Sequence, residues 1–100
     1  MKQVFFTVLT NDKLTDSVFK MTLEGDTRAI ERPGQFVNIL IDGLYLRRPI
    51  SVCDVEDNVL TIIYKVVGKG TERLAAMDSG VVLDILTGLG STLKILSRHS

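Results

Sequence analysis

Two short clusters in this sequence combine residue types that hold anions. Gly68-Lys69-Gly70-Thr71 ends an alternating apolar run and opens a stretch that favours helix. Glycines at such a junction let the backbone come close to a ligand, and the free amides of a first helical turn attract negative charge. A phosphate or pyrophosphate suits that chemistry; a tight turn with Thr71 as helix cap is the purely structural alternative. The glycine–lysine spacing of a P-loop is absent. The second cluster is Leu46-Arg47-Arg48-Pro49-Ile50-Ser51. An arginine at the mouth of a strand grips phosphate through its planar fork, and Ser51 adds a hydroxyl two residues beyond Pro49. Arg48 and Ser51 stand an odd number of positions apart, so a regular strand sends them to opposite faces. A ligand running from strand end to strand face, or an irregularity at Pro49, reconciles the two. An edge strand guarded by Arg and Pro against mispairing is the alternative without a ligand.

Other candidates carry less. Gly88-Leu89-Gly90 has Leu93 where a G-x-G-x-x-G motif needs its third glycine, and no helix-plus-strand unit follows, so a Rossmann reading fails. Cys53 lies among Ile50, Val52 and Val55 and is expected to be an inert core or half-core residue. Tyr64 reads first as a barrel side chain and His99 as tail. One cysteine and one histidine exclude an internal disulfide and leave no metal site to expect. Neither a Ser/His/Asp set nor a pair of catalytic carboxylates can be assembled.

These clusters need a scaffold, and the chain supplies mainly period-two alternation. Val4, Phe6 and Val8 alternate with Phe5, Thr7 and Leu9, and a turn is expected at Asn11-Asp12-Lys13. Phe19, Met21 and Leu23 form a second strand, ended by Glu24-Gly25-Asp26. After Pro33-Gly34, the runs 36–41, 49–55 and 59–67 read as three more, the last two joined through Glu56-Asp57-Asn58. Thr71 to Met77 favours helix, with Thr71 as cap and Gly80 as stop, and 81–86 returns to strand. Six short strands and one short helix predict an all-β antiparallel barrel or sandwich in one domain. One hundred residues, 45% hydrophobic and 24% charged, fit one ordinary globular core. Twelve basic residues balance twelve acidic ones, which gives no reason to expect a nucleic-acid or anionic-membrane partner. With no apolar run near the roughly 18 residues that span a bilayer, the cytoplasm is the expected location.

Pro33-Gly34-Gln35-Phe36, then Arg47-Arg48-Pro49-Ile50-Ser51, then Ile62-Ile63-Tyr64-Lys65, then Gly68-Lys69-Gly70-Thr71, in this order, resemble the flavin domain of the ferredoxin reductase superfamily. Within it, they resemble most the electron-transfer subunits of NAD-linked (class B) dihydroorotate dehydrogenases. The resemblance implies a six-stranded antiparallel Greek-key barrel over residues 1–93, holding FAD, with 94–100 as a tail. It assigns Arg48 to the FAD diphosphate, and Pro49 and Ile50 to the flavin and ribityl region. Ser51 goes near the redox-active nitrogen, and Ile63, Tyr64 and Lys65 make strand contacts. Gly70 and Thr71 offer amides, and Thr71 a hydroxyl, to the diphosphate. Lys65 stands where relatives commonly carry arginine, which keeps the charge and loses the fork.

The same resemblance implies an electron relay in pyrimidine biosynthesis. An FMN-containing dihydroorotate dehydrogenase catalytic subunit is the implied partner, and NAD the acceptor. The nucleotide-binding domain and the cysteines for a 2Fe–2S cluster are expected only beyond these residues, so the chain is expected to be one domain of a longer protein or a truncated product, inactive alone. The alternatives are the flavin domain of another NAD(P)H reductase, such as a sulfide dehydrogenase or ferredoxin–NADP reductase relative, and a flavin-free β-barrel interaction module.

Overall fold

Alternating apolar residues bury one face of a strand, and a sheet with one apolar face can hide it by closing on itself. Here Val4, Phe6, Val8, Met21, Leu23, Val37, Ile39, Ile50, Val52, Leu60, Ile62, Leu83 and Ile85 all turn inward and are buried. The structure, a computed structural model, describes residues 2–28, 30, 35–41 and 47–87. Its strands are β1 (Lys2–Lys13), β2 (Val18–Glu24), β3 (Phe36–Leu40), β4 (Arg47–Glu56), β5 (Val59–Lys65) and β6 (Val82–Thr87), with helix α1 (Lys69–Ala75) before the last. They close into an antiparallel barrel in the order β1-β2-β5-β4-β3-β6, the expected six-stranded Greek key with one helix. Pro33-Gly34, Gly88-Leu89-Gly90, His99 and the 94–100 tail lie outside the described residues.

Three local expectations need correction. Asn11, Asp12 and Lys13 do not turn; they continue β1 and pair with Met21, Lys20 and Phe19. The reversal comes later, where the Leu14 and Thr15 N–H groups donate to Val18 O and the Thr15 hydroxyl accepts from the Ser17 and Val18 N–H groups. Thr71 is not the cap residue: α1 starts two residues earlier behind Gly68 and ends at Ala75, and Gly80 (φ 95) serves the turn into β6. Cys53 is exposed, because Ile50 and Val52 take the inward positions of this part of β4 and leave Ser51 and Cys53 outside.

The side chain of Asn11 explains why β1 continues. Its amide NH2 donates to the carbonyls of Leu74 (2.9 Å), Ala75 (3.3 Å) and Met77 (3.1 Å) at and just beyond the helix end, where Leu74 O also accepts the Met77 N–H. Its Oδ1 accepts from the Tyr64 hydroxyl at 2.7 Å. One residue thus ties β1, β5 and α1 together, and Leu74 completes the plug by burying fully in the barrel core. Replacing Asn11 by alanine takes the side-chain partner from a buried phenol and from the Ala75 and Met77 carbonyls, so Asn11→Ala should lose about 2–3 kcal/mol of stability in urea unfolding, and Tyr64→Phe only about 1 kcal/mol.

Candidate functional site

The wall of the barrel opens beside α1. The β4–β5 ladder begins at Val52↔Ile62, and no pairing joins residues 48–51 to residues 63–65. Val52 N–H donates to Gln35 O on the β3 side, so strand alternation aims the nitrogen of Pro49 toward β5. Proline has no N–H to give, and the ladder cannot extend past it. Between the separated strands runs a groove of about 290 Å³, lined by Arg48, Pro49, Ile50, Ser51, Ile63, Tyr64, Lys65, Val67 and Thr71. Gly70 lies beneath its rim, where a Cβ would meet Arg48 Nε at 2.8 Å. All nine site residues expected from the sequence therefore converge, although about 20 residues separate the two clusters.

The parity conflict between Arg48 and Ser51 is resolved by the path of the groove. Register along β3–β4 is regular from Phe36↔Ser51 to Leu40↔Arg47, so Pro49 introduces no irregularity. Arg48 shares the inward parity of Ile50, but at the barrel end that direction leads across α1 rather than into the core. Ser51 and Ile63 face outward on the strand surface and are exposed. The groove folds over the barrel end and serves both faces.

Charge in the groove has one sign. Arg48 and Lys65 line it, no carboxylate does, and neither cation has an ion pair or hydrogen bond among the described residues. Arg47 has the opposite fate. Its Nη2 binds Asp84 Oδ1 at 2.9 Å, its Nη1 reaches the carbonyls of Asn38 and Asp84, and Gln3 Nε2 donates to Asp84 Oδ2 at 2.6 Å. Adjacent arginines point to opposite sides of a strand, and only one finds a carboxylate.

Two side chains hold the groove by their own bonding. The Thr71 hydroxyl accepts from the N–H groups of Val67 (2.8 Å) and Gly68 (3.2 Å) and donates to Gly68 O (3.1 Å). Its proton is committed to the loop, so Thr71 has a backbone amide and not a hydroxyl to offer an anion. Tyr64 is buried with its ring stacked on Phe19 (centroids 5.9 Å apart), and burial pushes its phenol up to about 12. Val67, 72% exposed on the groove, is the lining residue that sequence reasoning missed. Alternation continued β5 through it, whereas the Thr71 hydroxyl captures its N–H and turns it out of the barrel.

The chain resembles known proteins over nearly all its length. The electron transfer subunit of dihydroorotate dehydrogenase B (NAD(+)) from Fusobacterium nucleatum is 39% identical over 97 residues, which cover 91% of this chain and 38% of that one. The Enterococcus faecalis subunit of the same name is 38% identical over 99 residues, covering 94% and 38%. The chain is similar in sequence to these electron transfer subunits. It spans about two fifths of their length. No protein-family model matches it. Among solved structures, a cytochrome P450 reductase from Amycolatopsis superposes with TM-score 0.76 at 22% identity, over 90% of this chain and 29% of that one. A flavohemoglobin from Malassezia yamatoensis with bound FAD and heme gives 0.74 at 23%, over 87% and 25%. An NADH-dependent reduced ferredoxin-NADP oxidoreductase gives 0.74 at 26%, over 83% and 33%. The barrel shares its fold with the matched parts of these proteins.

Two outcomes test the site geometry without ligand. Arg47→Ala should cost about 1–2 kcal/mol in urea unfolding by stranding the part-buried Asp84, while Arg48→Ala should stay within about 0.5 kcal/mol of wild type. In an absorbance titration of the two tyrosines, one phase should fall near pH 12 and vanish in Tyr64→Phe. Because the folded pKa is raised, the stability linked to Tyr64 is whole below its ordinary value near 10 and is lost as pH rises through 12.

Proposed function

We propose that residues 1–93 form the FAD-binding barrel of an electron transfer subunit of NAD-linked dihydroorotate dehydrogenase. The observation that carries this reading is the groove itself, with two cations that have no partner and no facing carboxylate among the described residues, and with apolar walls, on a chain similar to those subunits. A dinucleotide flavin matches it in chemistry, having a diphosphate for the barrel end and a flat ring for the strand face.

The residues present fit FAD. Arg48 would grip the diphosphate through its fork, with the backbone amides of Gly70 and Thr71 beside it. Pro49, Ile50 and Ile63 provide apolar surface for the ring and ribityl chain, and Lys65 adds charge at the rim. The Ser51 hydroxyl, without a partner among the described residues, would donate toward the redox-active ring nitrogen. Tyr64 keeps the wall rigid through Asn11. FAD supplies hydride and electron transfer chemistry when bound, and the chain's part is to hold and orient it.

In this reading the subunit links dihydroorotate oxidation on an FMN-containing catalytic subunit to NAD reduction. The NAD-binding and 2Fe–2S parts would lie in the length of the relatives that this chain does not span.

Titration of the chain with FAD, followed by flavin fluorescence, tests the assignment. Arg48→Ala should weaken binding by about ten- to hundred-fold, a charge-assisted contact of roughly 1.5–3 kcal/mol, and Arg48→Lys should recover only part. Riboflavin, which lacks phosphate, should not distinguish wild type from Arg48→Ala. No FAD binding by wild type, or equal affinity for all three proteins, overturns the reading.

A further inference from the structure

The two glycines of Gly68-Lys69-Gly70-Thr71 look equivalent in sequence, but their surroundings differ. A Cβ on Gly68 would have no heavy atom within 4 Å, and its φ of 173° is extended backbone that any residue adopts. A Cβ on Gly70 would meet Arg48 Nε at 2.8 Å, Ile41 Cδ1 at 3.3 Å and Arg48 Cγ at 3.4 Å. Gly70 is buried and sits in α1 with no unusual φ, so nothing in its own backbone requires glycine. The Arg48 side chain itself covers the space where a Gly70 side chain would be.

We propose that Gly70 is a positioning residue for Arg48: the bare helix surface there is the track along which the arginine lies with its guanidinium presented to the groove. The inference deepens the FAD reading and rests on it for the ligand, although the pose itself is a property of the free chain. The closest clash falls on the far part of a flexible side chain, while Ile41 needs to give only a few tenths of an ångström. An added methyl is therefore relieved mainly by swinging Arg48 away, with little cost to the fold. This role differs from bringing a backbone amide close to phosphate, because it acts wholly through Arg48.

A double-mutant cycle separates the two roles. Gly70→Ala should lose most of the FAD affinity that Arg48→Ala loses, about ten-fold or more, with an unfolding midpoint close to wild type. In the Arg48→Ala background the same substitution should change affinity by less than about two-fold. Gly68→Ala should bind as wild type. A second readout needs no ligand: the Arg48 Nε–Hε resonance of the free chain should move in Gly70→Ala and stay in Gly68→Ala. An equal loss from Gly70→Ala in both backgrounds, or an unmoved Arg48 resonance, overturns the proposal. Failure of wild type to bind FAD would instead overturn the cofactor reading and leave the resonance to decide the pose.

Discussion

The attachment of α1 across one end of the barrel is the constraint on which the rest depends. A seven-residue helix is too short to be stable alone, and its ends leave polar groups without partners. Leu74 anchors it in the core, Asn11 takes its last carbonyls, and the Thr71 hydroxyl closes the loop that leads into it. The Thr71 contact is local, but the core around Leu74 and the Asn11 side chain come from distant strands, so the helix is held only where the barrel has brought them together. Its N-terminal turn then bounds the groove, and its one bare position receives Arg48.

The groove follows from a failure of pairing. A closed barrel removes edges, and its walls expose no backbone polar groups. The ladder to β5 ends at Val52↔Ile62, three residues short of Pro49, which has no N–H with which to resume it, and the two strands separate there while β4 stays paired to β3 and β5 to β2. The opening exposes Ile63 and Val67 beside Arg48 and Lys65, and this combination suits a ligand with an apolar plane and an anionic tail.

Electrostatics sorts the two arginines by neighbourhood rather than by type. Asp84 on β6 faces Arg47 across β3, and a third side chain, Gln3, steadies the carboxylate. Arg48 has no such neighbour among the described residues, and its donors stay unpaired there. The chain carries no net charge, and still places two like charges on one groove where no carboxylate among the described residues faces them.

The strands were legible in the sequence because alternation is a local property: Val4, Phe6 and Val8, or Leu60, Ile62 and Tyr64, declare an inner face without reference to any partner. The ordered motifs around Arg48, Ile63-Tyr64-Lys65 and Gly70-Thr71 likewise marked the groove residues through resemblance. What alternation and motif order left open was which partner or which face each of several polar residues takes. Asn11 looks like a turn residue until the helix carbonyls reach it, and Thr71 looks like a cap until Val67 and Gly68 claim its hydroxyl. Cys53 looks buried until strand parity turns it out. Arg47 and Arg48, and Gly68 and Gly70, are interchangeable as letters. Tertiary structure alone distinguished them, because a side chain's role depends on which carboxylate, carbonyl or empty surface the fold sets against it.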